Sequence, residues 1–147
     1  MKILESQNAI LTNYEVYRHL TEQKEKYAQE KRKGPPNYET VVREILQYFA
    51  TRPGPLSQEP ITYTPECIAQ LLERLRPYDL TKAEIIMLFN HRPETIATLN
   101  TIVEDLEERF SAEDQEALIG IVIDVLGQSA PVEEEGVEDT AMENGGP

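Results

Sequence analysis

The residues of this chain that could do chemistry are few and scattered. His19 and His91 fall in different predicted elements, and His91 has Glu94 as its only nearby carboxylate and no Cys or second His beside it. That is not the spacing of a metal site, which gathers three or four ligands around one ion. The single cysteine, Cys67, rules out an internal disulfide framework and a Cys-based zinc centre. It falls within a predicted helix, where an inert, partly buried thiol is expected. The acid run Glu104-Asp105-Glu107-Glu108 could offer paired carboxylates, but Leu106 in its midst points to a core. A solvated helix face is the better reading. His91-Arg92 precedes Pro93, so the pair reads either as a functional corner or as the end of one helix and the start of another; the second is favoured. No glycine-rich phosphate loop and no nucleophile elbow are present. The expectation is therefore no catalytic centre, no cofactor and no metal.

Tyr14, Tyr17 and Tyr27 lie in a region with basic neighbours. Such tyrosines could stack on nucleic-acid bases, or they could face a protein partner, where Tyr is enriched. Charge decides between these. The chain of 147 residues carries a net charge of −13. Residues 1–36 hold seven Lys/Arg against five Asp/Glu, whereas residues 61–147 hold five against nineteen. An acidic surface repels phosphate, so autonomous nucleic-acid binding is not expected. Lys31-Arg32-Lys33 is the local exception and reads as a solvated loop. Apolar runs are too short to cross a bilayer or to form a secretory signal. A nuclear or cytosolic protein without a membrane partner is the inference.

The elements that position these residues are read from caps and periodicity. Residues 1–12 read as an extended segment with apolar islands Ile3-Leu4 and Ala9-Ile10-Leu11. A lone strand leaves its backbone groups unpaired, so this segment must find a partner, lie on the helices or stay disordered. Asn13 is the expected N-cap of a helix over 14–32 with a thin stripe of Tyr17, Leu20 and Tyr27, Val16 beside it. Gly34-Pro35-Pro36 ends that helix. Asn37 is the expected cap of a second helix over 38–50, followed by a proline-rich loop at 51–60. Thr64-Pro65-Glu66 predicts the start of a third helix, and Thr81 to Glu84 is a capping box opening a fourth. Pro93-Glu94 predicts the next, whose seam of Ile96, Leu99, Val103, Leu106 and Phe110 recurs at helical spacing. Ser111 opens the last helix, and Gly127 is placed to close it. Residues 128–147 hold six acids and no Lys or Arg, which predicts disorder. Short helices with matched caps must bury their faces against one another. The fold class is all-α: a helical bundle over 37–127, an N-terminal segment and surface helix for partner binding over 1–36, and a disordered acidic tail over 128–147.

Three stretches, taken in order, carry a resemblance. They are Ile10-Leu11-Thr12-Asn13-Tyr14-Glu15-Val16, Leu80-Thr81-Lys82-Ala83-Glu84, and Asn90-His91-Arg92-Pro93-Glu94-Thr95 leading to Glu107-Glu108-Arg109-Phe110. Together they resemble the small stalk subunits of RNA polymerase III, the calcitonin gene-related peptide receptor component protein family. That family is related to the fourth subunit of RNA polymerase II and to the archaeal small stalk subunit. The resemblance implies an HRDC-like helical bundle in a heterodimer with a larger, OB-fold stalk subunit. It further implies a nuclear, non-catalytic role beside the polymerase III core, in initiation-factor recruitment and promoter opening. By the same resemblance, Ile3, Leu4, Ile10, Leu11, Tyr14, Val16, Tyr17 and Leu20 are the expected partner-binding residues. Two other readings stand beside it: a stand-alone HRDC-type nucleic-acid-binding module, which lacks the basic face it would need, and a receptor-associated accessory protein.

Overall fold

The computed structural model describes residues 2–130; Met1 and residues 131–147 lie outside it, and with them nearly all of the tail for which disorder is expected. The described residues are all-helical, as expected. The helices are α1 (Asn13–Gln29), α2 (Pro36–Phe49), α3 (Cys67–Leu75), α4 (Lys82–His91), α5 (Ile96–Asn100), α6 (Leu106–Arg109) and α7 (Ala112–Leu126), with a 3-10 turn at Pro55–Ser57.

The last helix, α7, is the centre of the core. Its Leu118, Val122 and Leu126 are fully buried. It packs on α3, which contributes Leu71 and Leu75, on α5, which contributes Leu99, and on α4, which contributes Leu88. Full burial of a Leu side chain is worth roughly 1.5–3 kcal/mol relative to exposure, so this apolar set holds the bundle together. The helices α1 and α2 form a hairpin on one side, tied to the core by Phe49, Tyr14 and Leu56.

Side-chain caps settle where α1, α4, α5 and α7 begin. Thr81 Oγ1 accepts the Glu84 N–H at 3.2 Å while Glu84 Oε2 accepts the Thr81 N–H at 2.8 Å, the reciprocal box expected. Ser111 caps α7 through the Asp114 N–H at 3.2 Å. Gly127 closes α7 at φ 84°, a conformation open to glycine at little steric cost.

Several boundaries differ from expectation. Thr12, not Asn13, caps α1: its hydroxyl accepts the Glu15 N–H and Glu15 returns a bond to the Thr12 N–H. Both Thr12 and Asn13 are good cap types, and the Glu three residues after Thr12 decides between them. That helix ends at Gln29 rather than 32, with Lys31 in the left-handed region at φ 49°. The second helix starts at Pro36, so Asn37 lies inside it and caps nothing. The third begins at Cys67, after a turn in which the Cys67 N–H donates to the Thr64 carbonyl at 3.1 Å. The seam from Ile96 to Phe110 is not one helix. It breaks between α5 and α6, where Asp105 adopts φ 51°. Leu99, Val103, Leu106 and Phe110 are nonetheless buried, and Ile96 stays exposed. The apolar periodicity marks the inward residues correctly, but bending around α7 interrupts the helix that would have carried them.

Candidate partner-binding surface

The N-terminal segment has no helix or strand from residue 2 to residue 12. Four of its apolar side chains are in solvent: Ile3 is 74% exposed, Leu4 86%, Ile10 50% and Leu11 55%. Scattered exposed leucines are ordinary, but four within nine residues on one unpaired stretch of backbone are a concentrated apolar surface.

The segment is rooted firmly where α1 begins. The Asn13 N–H donates to Asn90 Oδ1 at 2.9 Å, tying the first turn of α1 to the end of α4. One residue on, the Tyr14 ring packs edge-on against Tyr63 at 5.8 Å between centroids. Tyr63 in turn packs on Phe89 at 5.0 Å and donates its hydroxyl to the Phe89 carbonyl at 2.7 Å. Burial pushes the Tyr63 phenol well above its ordinary range, and burial likewise raises Tyr14. Tyr17 packs edge-on against Phe49 at 6.4 Å, Val16 lies against the core, and Leu20 is half-buried.

The eight residues expected to meet a partner therefore divide. Ile3, Leu4, Ile10 and Leu11 face solvent, Tyr14, Val16 and Tyr17 turn toward the chain's own bundle, and Leu20 stays half-buried outside that cluster. A division of the chain at residue 36 cuts through this packing, because Tyr14 belongs to the main core cluster. The thin stripe on α1 is the face that meets α2 and the bundle.

Beside the root of the segment lies a shallow cleft of about 290 Å³ between the α2 end, the following loop and the α4 end. Asn13, Tyr48 and His91 are on its wall. Tyr48 is 68% exposed, turned away from the core that Phe49 enters. The sequence places Tyr48 on the apolar face of α2; only packing shows that it points outward.

His91-Arg92 is a structural corner, as favoured. Arg92 ends α4 in the left-handed region at φ 46°, and its N–H donates to the Leu88 carbonyl at 2.9 Å. Its guanidinium, almost wholly buried, donates to Thr62 Oγ1 at 3.1 Å, Gln58 Oε1 at 2.9 Å and Ser129 Oγ at 3.0 Å. Glu94 lies 3.7 Å from its Nε and supplies the countercharge. Buried charge needs such pairing to be tolerated. The corner thus straps the loop after α2 to the chain leaving α7.

Among the described residues there is no group of His, Cys, Asp and Glu side chains that could hold a metal ion. None of the described helices is long and apolar enough to cross a membrane. The run Glu104 to Glu108 is exposed around buried Leu106, which makes it a solvated face. Cys67 is buried, its Sγ 3.3 Å from the Val125 carbonyl.

Comparison with known proteins gives this surface its context. The RNA polymerase Rpb4 family matches residues 10–126. The DNA-directed RNA polymerase III subunit rpc9 of Schizosaccharomyces pombe is 36% identical over 123 residues, covering 78% of this chain and 90% of the relative. The DNA-directed RNA polymerase III subunit RPC9 of Saccharomyces cerevisiae is 24% identical over 157 residues, covering 83% of this chain and 98% of the relative. The matched span takes in all seven helices, the cap at Thr12 and the corner at Arg92, and the chain belongs to the RNA polymerase Rpb4 family.

Proposed function

We propose that this chain is the small stalk subunit of nuclear RNA polymerase III. In this reading it is non-catalytic and binds a larger, OB-fold stalk subunit through its N-terminal segment. The pair then supports initiation-factor recruitment and promoter opening beside the polymerase core. The observation that carries the reading is the exposed apolar set Ile3, Leu4, Ile10 and Leu11, rooted by the Asn13–Asn90 bond and lacking cover from the described chain. The names of the two fungal relatives support the choice of polymerase III. An acidic chain suits a subunit that leaves nucleic-acid contact to its partners.

The test is an Ile10→Asp/Leu11→Asp double variant. Both positions are exposed, so the bundle should keep its fold. Two charges in a desolvated contact cost several kcal/mol, and each ~1.4 kcal/mol is tenfold in affinity. Capture of the larger stalk subunit should fall by about two orders of magnitude or more. Promoter-dependent initiation should fall with it, while elongation on a preformed RNA–DNA scaffold persists. Normal capture by a folded variant refutes the proposed interface. Equal loss of elongation refutes the proposed role.

A further inference from the structure

The α1–α2 hairpin holds a groove of about 540 Å³ near its tip. Its floor is apolar and aromatic: Tyr27 and Tyr38 meet edge-on at 6.1 Å, with Val42 and Leu46 beyond them. Its rim is cationic. Lys24, Lys31, Lys33 and Arg43 line it, and none of the four has a salt-bridge partner among the described residues. Arg32 also lines it, paired with Glu30 at 2.7 Å and lying over the Tyr27 ring at 4.9 Å. The one lining carboxylate, Glu39, is engaged by the Gly34 N–H at 2.9 Å. A basic groove with an apolar floor stands out in a chain of net charge −13.

We propose that this groove binds an acidic peptide with interspersed apolar residues, and that its occupant is the chain's own residues 131–147. Charge complementarity argues for it. Those residues carry Glu133, Glu134, Glu135, Glu138, Asp139 and Glu143 with no Lys or Arg, and Val132, Val137 and Met142 lie among the acids. Reach argues for it too. Ser129 is held by Arg92 and Glu94, at the α4 end that also holds Asn13 at the start of α1. From there to Tyr27 is roughly 20 Å along the helix, at ~1.5 Å per residue. Extended chain spans at most ~3.6 Å per residue, so Glu133 and Glu134 fall short, Glu135 only just reaches, and Glu138, Asp139 and Glu143 arrive with slack. Tethering raises the local concentration of such a segment to the order of mM, so weak contacts suffice.

Zero-length carbodiimide cross-linking of the full-length chain, read by mass spectrometry on mixed light and heavy protein, tests this. The expected links join Glu138, Asp139 or Glu143 to Lys24, Lys31 or Lys33 within one molecule, and they fall severalfold at high salt. The full-length Lys24→Glu/Lys31→Glu/Lys33→Glu variant removes the amines that such links need, so occupancy there is read on the α2 wall instead, as protection of Tyr38 from iodination, which should fall relative to the unsubstituted chain. Links spread equally to Lys2 and Lys82 overturn the proposal. So do links found only between light and heavy chains, which would make the occupant a second copy. Absence of those links in the full-length chain, with a single-stranded RNA oligomer protecting Tyr38 instead, also overturns it, since the groove would then not be the tail's.

Discussion

Glu84 and Arg109 are joined by a 2.7 Å contact between Oε1 and Nη1, which ties α4 to α6. The carboxylate does two jobs at once, since its other oxygen closes the capping box with the Thr81 N–H. Arg109 in turn donates to the Asp79 carbonyl at 2.6 Å and to the Glu104 carbonyl at 2.8 Å. One ion pair thus fixes the start of α4 and the turn before α6.

The Arg109 hydrogen bond, with help from the Thr81 backbone, holds the Glu84 carboxyl down at about 2, from an ordinary 4.5. A depressed carboxyl stabilises the fold above its unfolded value and stops doing so as pH falls through the folded value. Glu84→Gln should therefore cost about 2 kcal/mol at neutral pH. The difference from the parent chain should shrink as pH drops from 4.5 toward 2. Urea melts of both chains across that range measure it; a constant difference would mean that the charge of Glu84 is immaterial.

Gly127 faces Thr62 across the end of α7. A Cβ added there would lie 2.8 Å from the Thr62 Cβ, and the backbone is at φ 84°. With ψ at 174°, this region is essentially reserved for glycine. Gly127→Ala should cost at least about 2 kcal/mol. It should also disturb the Thr62 hydroxyl, which donates to the Leu126 carbonyl and accepts from Arg92. Thermal melting checks the cost, and amide exchange at Gly127, whose N–H bonds the Ile123 carbonyl, checks the place.

Leu99 and Glu107 separate core from surface in the broken seam. Leu99→Ala should cost roughly 2–5 kcal/mol, as truncation of a fully buried leucine does. Glu107→Ala, on the exposed face, should stay within about 0.5 kcal/mol. Chemical denaturation distinguishes them, and equal costs would mean that the phase of α6 is wrong.

Tyr14 and Leu11 are three residues apart and should behave in opposite ways. Tyr14→Ala removes a ring packed on Tyr63 and should destabilise the isolated chain by about 3 kcal/mol or more. Leu11→Ala, at an exposed position, should leave its melting temperature nearly unchanged and weaken capture of the larger stalk subunit. Melting curves beside a pull-down decide it.

Much of this molecule was legible in its sequence because caps and apolar periodicity are local. The box at Thr81–Glu84 and the Ser111 cap on the Asp114 N–H formed where the residue types demanded. Gly127 closed α7, and Leu99, Val103, Leu106 and Phe110 went inward. What the sequence could not decide depended on contacts far apart in the chain. The start of α1 could be placed from Thr12 and Glu15, but not its anchorage to Asn90, which comes beside the Asn13 N–H only in the fold. Tyr14 and Leu11 were alike as apolar candidates until Tyr63 buried one and left the other in water. Arg109 was one cation among many until the turn around α7 carried it to Glu84. Periodicity tells which side chains leave water, but only the tertiary structure decides which surface receives them, because burial is a property of the pair.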